Sequence, residues 1–417
     1  MKTTLSNSAE NILLMGFFFT PFTSLRFGLL GPGEILILAA AIIAVVSGRG
    51  KLKLDLKIQN LYRFWVFFLA FSMLGMHFNN FFISSPSGRP GTPFFDFSAY
   101  IFILTAIVLI GHYSHDNDDF PKIFFRRLFL YWSLTYVSLY AISFFTASIF
   151  GLPLRYHRFF SPLVENVHQA ASITCAMGFI TLFLGMRSSG FHVKVFYFIC
   201  TALFVKMALD SGSTKAMLAV TVGAIVSVIS LIFYRPTGQG RRFLNVVSFL
   251  LVGISIVWVY AQYSYEIYFL AGKFFSESDG GGAREALYSV GFEHGSHSLL
   301  IGYGPGSHAP YAGGFSDAHN TILTIFLQSG LLGVLVFVFL VGRLLQKLSV
   351  NFALLGAMVA IGMYILGGDI LRRLPTWIMI IGLIYFAADL RVRSSISVHQ
   401  PTSKPNSRLK TLRQSAV

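Results

Sequence analysis

Apolar runs long enough to cross a bilayer recur from one end of this chain to the other, with short polar connections between them. Twelve such stretches are centred on residues 11–29, 34–48, 62–83, 97–114, 128–150, 166–186, 195–210, 216–234, 244–263, 319–341, 351–368 and 374–390. The pattern predicts an all-α, polytopic transmembrane helix bundle of about 12 spans, and an even number puts both termini on one side. No repeat of fixed period is visible.

Lysine and arginine orient the bundle, because cationic loops stay on the cytoplasmic side. The connections holding Arg49, Lys51, Lys53 and Lys57, then Lys122, Arg126 and Arg127, then Arg187 and Lys194, Arg235, Arg241 and Arg242, and Arg343 and Lys347 share a face with the tail from Arg391 to Arg413. That face is expected to be cytoplasmic, both termini included. The opposite face then holds the connections at 84–96, 151–165, 211–215, 264–318 and 369–373, of which one alone is long. The expected division is a transmembrane domain over 1–390, including the external loop 264–318 between spans nine and ten, and a basic, disordered tail over 391–417.

Composition strengthens this reading: 54% of residues are hydrophobic and 12% charged, and mean hydropathy is +0.66. A soluble core could not hide so much apolar surface. The net charge of +15 would suggest nucleic acid in a soluble protein, but loops beside membrane spans account for it, and no nucleic-acid partner is expected. Cys175 and Cys200 both fall in apolar stretches, leaving no disulfide or cysteine-ligated metal framework. One lysine, Lys2, precedes the first apolar run, which Pro21 interrupts and no Ala-x-Ala site follows, so a retained first span is expected.

The long external connection ends in a glycine-rich, histidine-bearing segment, Gly302 to Thr321, that leads into the tenth apolar stretch. Its earlier part, with Gly280, Gly281 and Gly282, reads as an irregular mobile cap with one short helix around Arg284 to Val290. Asp317 or Ser316 can cap the tenth helix, which places His319 and Asn320 in its first turn at the membrane surface.

Cations on the external face run against topology and ask for a local reason, such as an anionic ligand or an interfacial anchor. The candidates are Arg155, Arg158, Lys215, Arg284, and Arg372 with Arg373. A guanidinium matches two phosphate oxygens at once, whereas lysine acts as a point charge. His319 is the candidate acid or base, since a neutral imidazole can take a proton from an attacking sugar hydroxyl. The bland alternative for it is a hydrogen-bonding residue at a helix start.

His294, His297 and His308 with Asp317 or Glu293 match no compact metal-ligand signature, and the Gly295-Ser296 pair argues for loop there, so no metal and no cofactor are expected. The Gly302-x-Gly304-x-Gly306 pattern follows no strand of a βαβ unit, and close backbone approach to a ligand or another loop suits those glycines better than a nucleotide. Tyr303, Tyr311 and Phe315 could stack on sugar faces.

These residues resemble the O-antigen ligase and O-antigen polymerase superfamily of polytopic membrane glycosyltransferases. The resemblance is carried by Asp317-Ala318-His319-Asn320-Thr321-Ile322-Leu323 running into Gln328-Ser329-Gly330-Leu331-Leu332-Gly333, with the glycine loop before it. Gly282-Ala283-Arg284-Glu285-Ala286-Leu287-Tyr288, and Arg158-Phe159-Phe160-Ser161-Pro162 with Glu165-Asn166-Val167-His168-Gln169-Ala170, are similar to two further family segments. Motifs cover roughly residues 151 to 345. The family often has Thr-Arg or Ser-Arg where this chain has Ser213-Thr214-Lys215, so lysine keeps the charge there without bidentate geometry.

The resemblance implies glycan transfer at the external face of a bacterial inner membrane, with the active site toward the periplasm. The donor would be an undecaprenyl-pyrophosphate-linked glycan and the acceptor a glycan or lipid-linked hydroxyl. Partners would include the lipid bilayer and other polysaccharide-assembly proteins of lipopolysaccharide or exopolysaccharide biosynthesis. It assigns Arg158, Lys215 and Arg284 to the pyrophosphate and His319 to the acceptor as base, with Asp317, Asn320, Arg155 and Arg372 in support. Lys215 and the modest loop favour a polymerase over a ligase. A transporter or flippase of a lipid-linked sugar is the competing class, for which Lys206 and Asp210, four apart on the seventh stretch, are the supporting feature unless they pair with each other.

Overall fold

The computed structural model describes residues 2–26, 30–47, 52–79, 92–115, 117–156, 159–164, 166–233, 281–307 and 320–399. Twelve α-helices lie in these stretches: α1 (Lys2–Phe19), α2 (Pro32–Ser47), α3 (Gln59–Asn79), α4 (Thr92–His115), α5 (Phe120–Ile142), α6 (Val167–Arg187), α7 (Phe191–Asp210), α8 (Thr214–Phe233), α9 (Gly281–Ser296), α10 (Thr321–Leu348), α11 (Phe352–Gly367) and α12 (Leu374–His399). Among the described residues, seven helical segments are long and apolar enough to cross a membrane. Ser8–Phe19, Pro32–Ser47 and Phe352–Gly367 are shorter apolar helices. The chain is thus an integral membrane protein, and the stretch at 244–263 lies outside the described residues.

Several boundaries differ from the hydropathy pattern for local reasons. Helix α1 ends at Phe19 because Pro21 has no amide to continue the ladder, and Thr20 turns back on the Phe17 carbonyl. Helix α5 begins at Phe120, so Lys122, Arg126 and Arg127 ride on it; Pro121 fits its first turn, and the Asn117 side chain accepts the Phe120 amide. Helix α12 continues past Arg391 to His399. The all-α expectation misses two small antiparallel hairpins after α5. These are β1 (Ser148–Ile149) with β2 (Leu152–Pro153), and β3 (Arg155–Tyr156) with β4 (Phe159–Phe160).

The interior is aromatic, with Trp65 of α3 edge-on to Trp377 of α12 at 4.9 Å and Tyr100 of α4 beside both Trp65 and Phe68. Polar groups collect at the two ends. At one end the Lys57 ammonium bonds Asp118 at 2.5 Å, Lys122 reaches Asp389 at 3.1 Å, and Lys347 donates to the Lys57 carbonyl at 2.7 Å. Contact with Lys57 holds the Asp118 carboxyl below the usual range. The connections at Lys57, Lys122 and Lys347, assigned to one face by their cations, thus meet at one end of the bundle, while Arg235, Arg241 and Arg242 lie outside the described residues.

Helix α10 is broken. Gly330 has φ 66° and ψ −165°, a conformation open to glycine alone, which interrupts the intrahelical ladder two to three turns from the helix start. The segment after α9 fills the gap: Leu331 donates to the Leu299 carbonyl, while Tyr303 and Gly304 donate to the carbonyls of Leu327 and Gln328 at 2.8 and 2.9 Å. Buried backbone groups freed by the break are satisfied by a second strand of chain.

Candidate functional site

Three glycines make that insertion sterically possible. Gly302, Gly304 and Gly306 all have positive φ, at 66°, 97° and 84°. A Cβ on Gly302 would lie 2.6 Å from the Ser329 amide, and one on Gly304 would lie 2.5 Å from the Met76 Cβ. The close approach expected of the glycine pattern is to α10 and α3.

Helix α9 also differs from the expected loop. It runs through Ser296, well beyond a short helix at 284–290, because Gly291 and Gly295 face α10: a Cβ on either would meet Leu323 or Phe326 at 3.0 and 2.3 Å. Glycines that read as loop signals are here the flat side of a helix-packing face. His294 stacks on Tyr303 with ring centroids 4.4 Å apart, and the Tyr303 hydroxyl donates to the His294 carbonyl. Tyr303 is thus engaged inside the loop; Tyr311 and Phe315 lie outside the described residues.

A buried polar knot ties this loop to the rest. Asp96 of α4, fully buried, accepts from the Gly306 amide at 3.0 Å, from the Gln328 amide nitrogen at 3.0 Å, and from Arg372 at 3.2 Å. Tyr100, one turn further along α4, donates to Gln328 at 2.8 Å. Arg372 reaches a second carboxylate, Asp369, at 3.3 Å. Two carboxylates thus balance Arg372, which makes it a strut between α4 and the turn before α12 rather than an open anion contact.

Lys215 occupies a different corner. Its Cδ and Cε lie 3.2 and 3.3 Å from where a Cβ on Gly367 would sit, and its ammonium 3.8 Å from that of Gly368. The start of α10 holds this same segment: Asn320 donates to the Leu366 carbonyl at 2.9 Å, and Thr321 to the Gly368 carbonyl at 2.8 Å. Asn320 also accepts the amides of Ile322 and Leu323, so it caps α10 in place of the expected Asp317 or Ser316. His319 therefore precedes the cap, one residue from this corner along the chain.

At the other side of Lys215, the imidazole of His168 meets the Ser213 hydroxyl at 3.1 Å. His168 is in the first turn of α6, where Asn166 caps the helix by accepting the His168 amide. The start of α8 thus meets the start of α6 through Ser213 and the end of α11 through Lys215, and the start of α10 is held by that same end of α11. Asn166 and Asn320 take first-turn amides of α6 and α10, so what the helix ends add to the Lys215 charge is the positive pole of each helix, which favours an anion.

Arg155 is used locally, donating to the Ser143 carbonyl at 3.0 Å and lying over the Phe144 ring. Nearby, Lys206 bonds Asp210 at 2.6 Å and Tyr140 donates to the same carboxylate. That pairing is the local use that weakens Lys206 and Asp210 as a transport signal. Phe159 of β4 packs on Gly212, where a Cβ would collide at 2.0 Å, so the second hairpin leans on the turn leading to Lys215.

Of the residues expected to form a site, Lys215, Asn320, Arg155 and Arg372 are described with their side chains. Arg158, Asp317 and His319 lie outside the described residues, and Arg284 lies on α9 with its side chain outside them. Lys215 and Asn320 both lie against the 366–368 segment; Arg372 and Arg155 belong to other clusters. Asp96, Gln328, Asp369 and His168 are the polar residues that sequence reasoning did not single out for the site. A carboxylate just before the apolar stretch 97–114 was the available signal for Asp96.

Residues 197–338 match the family model described as O-antigen ligase. No curated protein matches the chain at a significant level. The matched segment takes in Lys215, α9, the glycine loop and the break in α10.

Proposed function

We propose, from the premise that residues 197–338 belong to the O-antigen ligase and polymerase superfamily, that this membrane protein is a polysaccharide polymerase of the O-antigen or exopolysaccharide type. It transfers an undecaprenyl-pyrophosphate-linked glycan onto a sugar hydroxyl at the external face of the bacterial inner membrane. The observation that carries the reading is the 366–368 segment, against which Lys215 lies and to which Asn320, the residue that follows His319, is bonded.

In the proposed reaction the acceptor oxygen attacks the anomeric carbon from the side opposite the leaving group, and His319 takes the hydroxyl proton. The bond from that carbon to the diphosphate oxygen breaks, and undecaprenyl diphosphate departs as an anion. It needs charge neutralisation rather than a proton, and Lys215, Arg158 and Arg284 supply it without metal or nucleotide. Asn320 fixes the start of α10 and hence the backbone next to the base. Lysine as a point charge and the modest external loop favour polymerase over the ligase alternative, in which the acceptor is lipid A-core.

The test is turnover of purified, reconstituted protein on lipid-linked repeat units. His319→Ala is expected to lower the rate about 10²–10⁴-fold while insertion and yield stay unchanged. Near wild-type turnover in that variant would remove His319 from the chemistry. Translocation of lipid-linked units without new glycosidic bonds would instead mark a transporter.

A further inference from the structure

Between α5 and α6 the chain displays large apolar side chains to the outside: Phe144 is 64% exposed, Phe145 90%, Phe150 99% and Tyr156 59%. Phe150 stands at the tip of the β1–β2 hairpin with φ 51°, a left-handed conformation that a bulky side chain adopts at a cost, and it touches nothing at that tip to offset the strain. A soluble surface would carry Asn or Asp in that position.

We propose that residues 144–156 form an interfacial finger whose phenylalanines lie among the lipids of the leaflet on this side of the membrane. Helix α5 has 23 residues, about 34 Å at about 1.5 Å per residue; Lys122, Arg126 and Arg127 hold its first turns at the cationic end of the bundle, and its apolar part runs from Leu128 to Ile142. Phe144 and Phe145 follow Ile142 by less than one turn, which puts them at the boundary between acyl chains and headgroups.

The finger also has the mixed chemistry of that boundary. The Arg155 guanidinium lies 5.1 Å over the Phe144 ring, amphipathic Tyr156 is exposed beside it, and Lys206 on neighbouring α7 keeps a side chain 55% exposed. Cation-flanked aromatics are the composition that settles at headgroup level. At the opposite end of the bundle the exposed turn carries ion pairs, Asp118 with Lys57 and Asp119 with Lys122, the two carboxylates being 80% and 77% exposed.

Because β3 and β4 continue from the finger and Phe159 wedges against Gly212, lipid contact here sets the height of the turn that precedes Lys215. This inference is independent of the proposed transfer, since it concerns the bilayer alone. A loss of lipid contact would leave the glycosyl-transfer reading untouched.

The test attaches an environment-sensitive fluorophore at Phe150→Cys, at Phe145→Cys and, as a water-facing control, at Asp118→Cys in the full chain. Cys175 and Cys200 are buried, and labelled wild type gives the background. In phosphatidylcholine vesicles, both finger positions should be quenched by lipids with a nitroxide near the headgroup. Iodide should quench them at least about threefold less than the control. Two results would overturn the proposal: iodide access equal to the control, or shielding that appears only when oligosaccharide is added, which would make the finger a glycan platform.

Discussion

Arg372 donates to Asp96 at 3.2 Å although 276 positions separate them. The carboxylate is fully buried and the guanidinium side chain about one-fifth exposed, so the pair joins the turn before α12 to the first turns of α4 in a site largely out of water. The same carboxylate holds the Gly306 amide. One residue therefore registers the glycine loop, the break in α10 and the Arg372 turn against each other.

Removing one partner should be costly, because a buried charge left alone loses its compensation. Arg372→Gln, which leaves the buried Asp96 carboxylate without its cation, is expected to destabilise the protein by roughly 3–5 kcal/mol. Asp96→Asn in the same background should restore part of the loss. A fall in melting temperature for each single variant, with a smaller combined effect than their sum, checks this; strict additivity would show that the two side chains do not act as a pair.

Gly330 makes a second prediction. A Cβ there would lie 2.2 Å from the Leu300 carbonyl carbon, and φ 66° with ψ −165° excludes alanine in any case. Gly330→Ala should cost at least about 3 kcal/mol or abolish the folded monodisperse species. Gly342→Ala, further along α10 with open space around it, should be neutral or stabilise by up to about 1 kcal/mol. Size-exclusion profiles and thermal unfolding of the two variants distinguish them.

This break also shows where sequence stops being legible. The seven segments long and apolar enough to cross a membrane were readable because bilayer thickness imposes a length on an apolar run. Gly330 sits inside such a run and reads as an ordinary helical glycine, since the chain that fills its gap comes from residues 299–304. Gly291 and Gly295 mislead in the other direction: they look like loop and are a packing face, a fact set by Leu323 and Phe326 across the interface. The cap at Asn320 was hidden by the equally good capping chemistry of Ser316 and Asp317. Lys215 was legible as a cation out of place, but its neighbours at Gly367 and Gly368 were not, because glycines carry no signal for what lies beside them.

The loop should respond to acid through His294. Burial, followed by the neighbouring His297, holds its imidazole below the usual 6.5, so the packed loop favours the neutral ring stacked on Tyr303. The unfolded chain takes up that proton first. Stability from this contact is therefore complete above about pH 6.5 and declines as pH falls below it, by at most about 1.4 kcal/mol per unit. His294→Phe keeps an aromatic partner without a titrating group and should flatten this part of the stability profile between pH 7 and 5.5. An unchanged slope would assign the acid sensitivity elsewhere.

The role of Lys215 can be probed without altering its charge. Gly367 ends α11, and a Cβ there would press on the Cδ and Cε of Lys215 at 3.2 and 3.3 Å. Those atoms belong to the far end of a flexible side chain, so the collision is relieved by moving the ammonium and not the backbone. Gly367→Ala should therefore leave thermal stability within about 1 kcal/mol of wild type. If the ammonium neutralises the departing diphosphate from its observed position, the same variant should lower kcat about tenfold to a hundredfold, and Lys215→Ala should lower it further, toward the 10²–10³-fold seen when one preorganised charge-stabilising group is lost. The two substitutions combined should be no slower than Lys215→Ala alone, because the methyl group then has no side chain to displace. Independent, multiplying losses would mean that Gly367→Ala acts through the backbone of the 366–368 segment and its hold on Asn320, and would separate that hold from the lysine.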